Sequence, residues 1–180
     1  AGDVHGAGFD DLVIGIPLDD NSHGTNAGAA YVYYGGAIPD ATSDLRFVGE
    51  AATDEFGVSV GTAGDVNGDG YADVVVGAYY SDAGGTSSGR AYVFYGGADP
   101  DLGADVTLTG AAANDDFGHS VRTAGDVNGD GYDDVVVGAY GSDVGGSSAG
   151  QAYVYYGGVA MDPVADHTWT GAAAADFFGF

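Results

Sequence analysis

The chain repeats itself every 61 residues, and this period constrains the fold more than any other property. Phe56-Gly57 returns as Phe117-Gly118 and again as Phe178-Gly179. Tyr31-Val32-Tyr33-Tyr34-Gly35-Gly36 returns over 92–97 and 153–158. Gly-Asp-Val triplets begin at Gly2, Gly64 and Gly125, and the first interval is one residue longer than the second. The extra residue falls in the first copy, between Pro17 and Ala30. A repeat of this kind is one supersecondary unit that buries its faces only by stacking on its neighbours.

Within one repeat the sequence predicts four strands, at about 57–62, 72–78, 90–95 and 106–109. Val74-Val75-Val76 has no polar alternation, which suits a strand covered on both faces. Tyr92 and Phe94 point to one side of the third strand and Val93 and Tyr95 to the other, so both of its faces carry bulk. Four-stranded units at this spacing predict blades of a propeller. The β-branched and Gly content disfavours a helical solenoid. The expected fold is all-β: one propeller segment over 1–180, with blades at approximately 1–55 (lacking its first strand), 56–116 and 117–177. Residues 178–180 start a further strand.

Composition narrows the chemistry. The chain holds 27 acidic residues against three Arg and no Lys, for a net charge of -24. Such a surface repels phosphate backbones and anionic membranes, so nucleic acid is not an expected partner. It needs cations or high salt to limit self-repulsion, which suits a salt-rich medium, work with calcium outside the cell, or both. There is no Cys, hence no disulfide and no Cys-ligated zinc. No run reaches the roughly 18 apolar residues of a membrane helix, so no membrane insertion is expected. The chain opens in mid-motif and reads as a piece of something longer.

The charge is concentrated where the repeat is strongest. Ala63 to Ala78 reads AGDVNGDGYADVVVGA, and it recurs over 124–139 with one change, Ala72 becoming Asp133. Asp65, Asn67, Asp69, Tyr71 and Asp73 fall at alternate positions of a loop that Gly68 and Gly70 allow to curl. Asp126, Asn128, Asp130, Tyr132 and Asp134 repeat the set. Calcium takes six to eight hard oxygens. Three carboxylates, one amide oxygen and the Tyr carbonyl supply them, with the last Asp able to bind through both oxygens. The sequence thus predicts two Ca2+ sites, each cancelling charge that would otherwise self-repel. An EF-hand is excluded, because position 12 is Val76 and a strand follows in place of a helix. In the first copy Asp3, His5 and Asp11 remain and Ala7 has no ligand atom. Imidazole suits calcium poorly, so this degenerate loop is expected to be empty or weakly occupied.

Phe56-Gly57-Val58-Ser59-Val60, Gly64 to Gly70 and Asp73-Val74-Val75-Val76-Gly77-Ala78 together resemble the FG-GAP repeat of integrin α-subunit β-propellers. The resemblance runs through the whole chain, three times over. One departure is the missing proline: Tyr79 and Tyr140 stand where the first copy keeps Pro17. The resemblance implies four antiparallel strands per blade and a calcium loop between the first two. It implies partner binding on the opposite face, where Asp20, Asp82 and Asp143 occupy Ser/Gly-rich loops. Integrin-like propellers have seven blades, and three repeats cannot close a ring.

Catalysis is not expected. His5, His23, His119 and His167 are scattered, and there is neither zincin spacing nor a Gly-x-Ser-x-Gly elbow. Ser59 and Ser120 recur without a recurring base and read as strand polar groups; Trp169, at the position of Leu108, reads as core or blade-edge packing. Three functions fit the sequence. One is a calcium-binding module for adhesion or protein interaction, extracellular or at the cell surface. A second is a self-assembling protein whose open blades are completed head to tail by neighbouring chains. A third is a carbohydrate-binding module with a glycan ligand.

Overall fold

A computed structural model describes residues 1–38 and 40–180. The described residues form eleven strands and no helix. The strands are β1 (Leu12–Ile16), β2 (Ala29–Tyr33), β3 (Leu45–Val48), β4 (Ser59–Gly64), β5 (Asp73–Ala78), β6 (Arg90–Phe94), β7 (Val106–Thr109), β8 (Phe117–Gly125), β9 (Asp134–Ala139), β10 (Gln151–Tyr155) and β11 (His167–Thr170). They make three antiparallel meanders, β1-β2-β3, β4-β5-β6-β7 and β8-β9-β10-β11. Their up-and-down antiparallel order is that expected of propeller blades, and the three sheets do not close on one another.

The middle sheet shows why the Val run is continuous. All six residues of β5 are buried. Val74, Val76, Tyr92 and Phe94 pack towards the first sheet, with Val32, Phe47 and Phe56. Phe47 stacks on Phe94 at a centroid distance of 3.9 Å, and Phe56 meets Tyr92 edge-on at 5.3 Å. Val75, Val93 and Leu108 pack towards the third sheet, with Val121, Val135 and Val137. The period-2 alternation of a strand therefore serves two cores rather than a core and solvent. Leu12, Ile14 and Ile16, on the face of β1 turned away from the second sheet, are exposed.

Strands β5 and β6 are each one residue shorter than expected, and the first strand of the repeat differs most. The first strand of the repeat is predicted at 57–62, but β4 runs from Ser59 to Gly64. Phe56 instead bridges Gly28 of the preceding sheet, as Phe117 bridges Gly89 and Phe178 bridges Gly150. Phe56 N donates to Ala27 O at 3.1 Å. At the other end, a register shift between Thr62 and Gly64 carries the pairing on to Asp73. Close approach explains the glycine of the Gly-Ala step: a methyl on Gly77 would overlap the carbonyl of Gly118 in the next sheet.

The up-and-down order puts the β4–β5 and β8–β9 loops at one end of the sheets. The β5–β6 and β9–β10 loops and the sheet-to-sheet connections lie at the other.

Candidate metal centre

The loop between β4 and β5 is wound around its first carboxylate. Asp65 Oδ1 accepts from Gly68 N (2.8 Å) and Asp69 N (3.1 Å), and Oδ2 accepts from Gly70 N (2.9 Å). Gly68 and Gly70 have φ of 77° and 91°, the left-handed turn that glycine adopts without cost from a Cβ. Asn67 Oδ1 accepts from Asp69 N, and its amide donates to Asp69 Oδ2, both at 2.9 Å. Asp69 Oδ1 accepts from Tyr71 N at 2.9 Å. At the base, the fully buried Asp73 accepts from Val66 N and Gly96 N, each at 2.8 Å.

The 126–134 loop repeats this winding. Asp126 accepts from Gly129 N, Asp130 N and Gly131 N. Asn128 bonds Asp130, and Asp134 accepts from Val127 N (2.8 Å) and Gly157 N (2.9 Å). Each predicted set thus lies on one loop and the first residue of the strand after it, its candidate ligand atoms are all oxygens, and its three carboxylates do not all lie within 4.8 Å of one another.

Burial pushes the Asp73 carboxyl up to about 7, with the charges of Asp69 and Asp65 adding to the effect and the Gly96 and Val66 hydrogen bonds opposing it. Among the described residues, no ion pair reaches Asp65, Asp69 or Asp73. An all-oxygen set with a charge deficit fits a hard divalent cation.

The first loop is built differently. Asp3 accepts from Gly6, Ala7 and Gly8 N, and Asp11 from Val4 N and Gly35 N. His5 lies between them, with Nδ1 3.0 Å from Asp11 Oδ2 and 3.7 Å from Asp3 Oδ1. Among the described residues, Asp3, His5 and Asp11 are the one group of three such side chains whose ligand atoms all lie within 4.8 Å.

Neighbouring loops are fastened together through Asp133 and the backbone of Asp65. Asp133 Oδ2 accepts from Asp65 N at 2.9 Å, and Asp133 N donates to Asp65 O at 3.1 Å. Between the first and second loops only the backbone link survives, Ala72 N to Asp3 O at 3.0 Å. The Tyr71 ring lies against Gly6 and the Tyr132 ring against Gly68. The single Ala72-to-Asp133 change was the visible signal, but its partner is 68 residues away.

At the opposite end, Asp20, Asp82 and Asp143 each close their own loop. Their Oδ1 atoms accept from Asn26 N (2.9 Å), Ser87 N (2.8 Å) and Ser148 N (2.8 Å). Those three acceptor-bound residues have φ of 53°, 48° and 48°, so the carboxylates hold strained turns in place. Tyr79 and Tyr140, the departures from proline, lie edge-on to His119 at 5.3 and 4.6 Å. The Ser59 hydroxyl accepts from Val121 N and the Ser120 hydroxyl donates to Gly179 O, so each recurring serine ties its side chain to the backbone of the next repeat. Trp169 is half exposed on the outer strand β11, beside His167.

Asp54 is buried at this end, and desolvation pushes its carboxyl up to about 6. Glu50 and Asp82 raise it further, while the Ala51 backbone hydrogen bond and Arg90 oppose the shift. An unfolded Asp titrates near 3.9, so the folded state binds the proton more tightly. The cost of the charged form is full above pH 6, shrinks as the pH falls through 6, and is gone below about 4. Asp54→Asn is expected to stabilise the protein by about 2 kcal/mol at pH 7.5 and by nothing at pH 4. Urea unfolding of both proteins at the two pH values checks this; equal gains at both would refute it.

Comparison with known proteins agrees with this geometry. The FG-GAP repeat family profile matches residues 56–94 and 117–155, each from the bridging Phe to the end of the third strand of a sheet. The chain carries FG-GAP repeats. Integrin alpha-PS2 of Drosophila melanogaster is 36% identical over 158 residues, covering 78% of this chain and 11% of that protein. Integrin alpha-5 of Xenopus laevis is 34% identical over 152 residues, covering 79% and 14%. Integrin alpha pat-2 of Caenorhabditis briggsae is 32% identical over 204 residues, covering 99% and 15%. The FG-GAP chain therefore spans a small part of these relatives' length.

Proposed function

We propose that this chain is a calcium-binding, non-catalytic β-propeller module for adhesion or protein–protein interaction, acting outside the cell or at its surface. The observation that carries this reading is the buried Asp at the foot of a loop of oxygen donors, present twice at equivalent positions. Asp65, Asn67, Asp69, the Tyr71 carbonyl and Asp73 would hold one ion, and Asp126, Asn128, Asp130, the Tyr132 carbonyl and Asp134 the second. The ion supplies positive charge that fixes each loop and so aims β5 and β9. The likeness to integrin α subunits supports a partner protein as ligand, approached from the end opposite the metal loops.

Calorimetric titration of the metal-stripped chain tests the metal reading, with two calcium ions expected per chain. At a hundred times the Kd, each site adds about 2.7 kcal/mol of stability that chelation removes. Absence of saturable calcium binding would defeat it.

Self-assembly is the second reading, favoured by the exposed Leu12, Ile14 and Ile16 on the first sheet and the half-exposed Trp169 and Phe178 on the third. Light scattering decides it: a multiple of the chain mass supports it and a monomer removes it.

A further inference from the structure

We propose that the first loop is a site for a borderline transition-metal dication of the zinc, cobalt or nickel class, held by Asp3 Oδ1, His5 Nδ1 and Asp11 Oδ2. The three loops share one backbone plan, and the first differs in its donors. His5 replaces the amide oxygen of Asn67 and Asn128, and Ala7 replaces the carboxylate of Asp69 and Asp130. Two hard oxygens are lost and one imidazole nitrogen is gained. Calcium wants many oxygens; imidazole suits zinc, nickel, copper and iron, with carboxylates as partners.

The geometry agrees. Two ligands each about 2.1 Å from a common ion lie about 3.0–3.7 Å apart at bond angles of roughly 90–120°. His5 Nδ1 is 3.0 Å from Asp11 Oδ2 and 3.7 Å from Asp3 Oδ1. All three ligand atoms lie within 4.8 Å of one another, so one ion can take all three once the Asp3 and Asp11 oxygens stand within about 4.2 Å. The donors are also fixed in advance. Backbone N–H groups anchor both carboxylates. The imidazole is stacked flat on Tyr34, with centroids 4.0 Å apart and planes 4° apart. Tyr34 is itself tied down by its N–H, which donates to Asp44. The Asp11 side chain is fully buried, whereas Asp3 and His5 are 30% and 19% exposed, which leaves a side open for water ligands.

The rival arrangement is an imidazolium acting as the loop's own counter-ion. A metal displaces the proton from Nδ1, whereas the counter-ion state keeps it. The two are separated by titrating the whole chain with Co2+ in the presence of excess Ca2+, following visible absorption and heat. One cobalt per chain is expected, unaffected by calcium. His5→Asn should weaken it roughly tenfold or more, while His23→Asn should leave it unchanged. The 15N resonance of His5 Nδ1 in the unmutated chain should move on adding Zn2+, a readout that needs no variant. Cobalt binding that survives His5→Asn, its displacement by calcium, or an unmoved His5 resonance would each overturn the proposal. None of these results bears on the calcium loops, which contain no His.

Discussion

Asp73→Ala is expected to cost the protein about 2–4 kcal/mol in calcium-free buffer and to lower calcium stoichiometry by one. The carboxylate accepts from Val66 N and Gly96 N at a fully buried position. Removing it leaves the buried Val66 N–H and the part-buried Gly96 N–H without partners, at roughly 1–3 kcal/mol for the buried one and less for the other. Relief of the buried charge offsets part of that loss. Asp73→Asn keeps an acceptor oxygen for one of the two N–H groups, so it should cost less than half as much while still losing the ion. The pair separates the structural role from the metal role. Equilibrium urea unfolding gives the first and calorimetry the second. A loss below about 1 kcal/mol for the alanine variant would mean that the loop base is not the anchor described.

Gly77→Ala should be equally damaging, for a steric reason. The added methyl would overlap the Gly118 carbonyl, a backbone atom of the adjoining sheet. Gly118 cannot retreat freely, because its own approach to the Arg90 carbonyl leaves no room for a Cβ. Overpacking against fixed backbone costs about 3 kcal/mol, at the upper end of such effects. Gly36→Ala is the control, since nothing lies within 4 Å of a methyl there. A shift in denaturation midpoint at Gly77 no larger than at Gly36 would show that the two sheets are not pressed together at Gly77.

Much of this was legible in the chain itself. The Val74–Val76 run marked a strand with two cores, and Val106–Thr109 was placed to the residue, because period and composition are local signals. The curl of the 65–73 and 126–134 loops on Asp65 and Asp126 follows from the Asp and Gly spacing. What escaped were contacts between repeats. The grip of Asp133 on Asp65 spans 68 residues, and the assignment of Phe56 to its predecessor's sheet rests on a bridge to Gly28. Nor could spacing show that His5 draws Asp3 and Asp11 together, since that depends on Tyr34 behind the ring. Asp20, Asp82 and Asp143 recur in exposed loops, and the sequence alone does not show that each also accepts a backbone N–H of its own loop. Each bond ties down a residue with positive φ, which takes a folded loop to see.

The bridge from each Phe to the sheet before it has an evolutionary corollary. The stretch that recurs in the sequence and the body that packs in space are out of step by a few residues, like roof tiles whose nails pass through the row below. Any duplication copied from Phe to Phe therefore brings its own fastener for the tile already laid. Such an array can lengthen by unequal crossover without redesigning a joint, and a cut made at the sequence boundary removes the nail from the neighbour that keeps its full length.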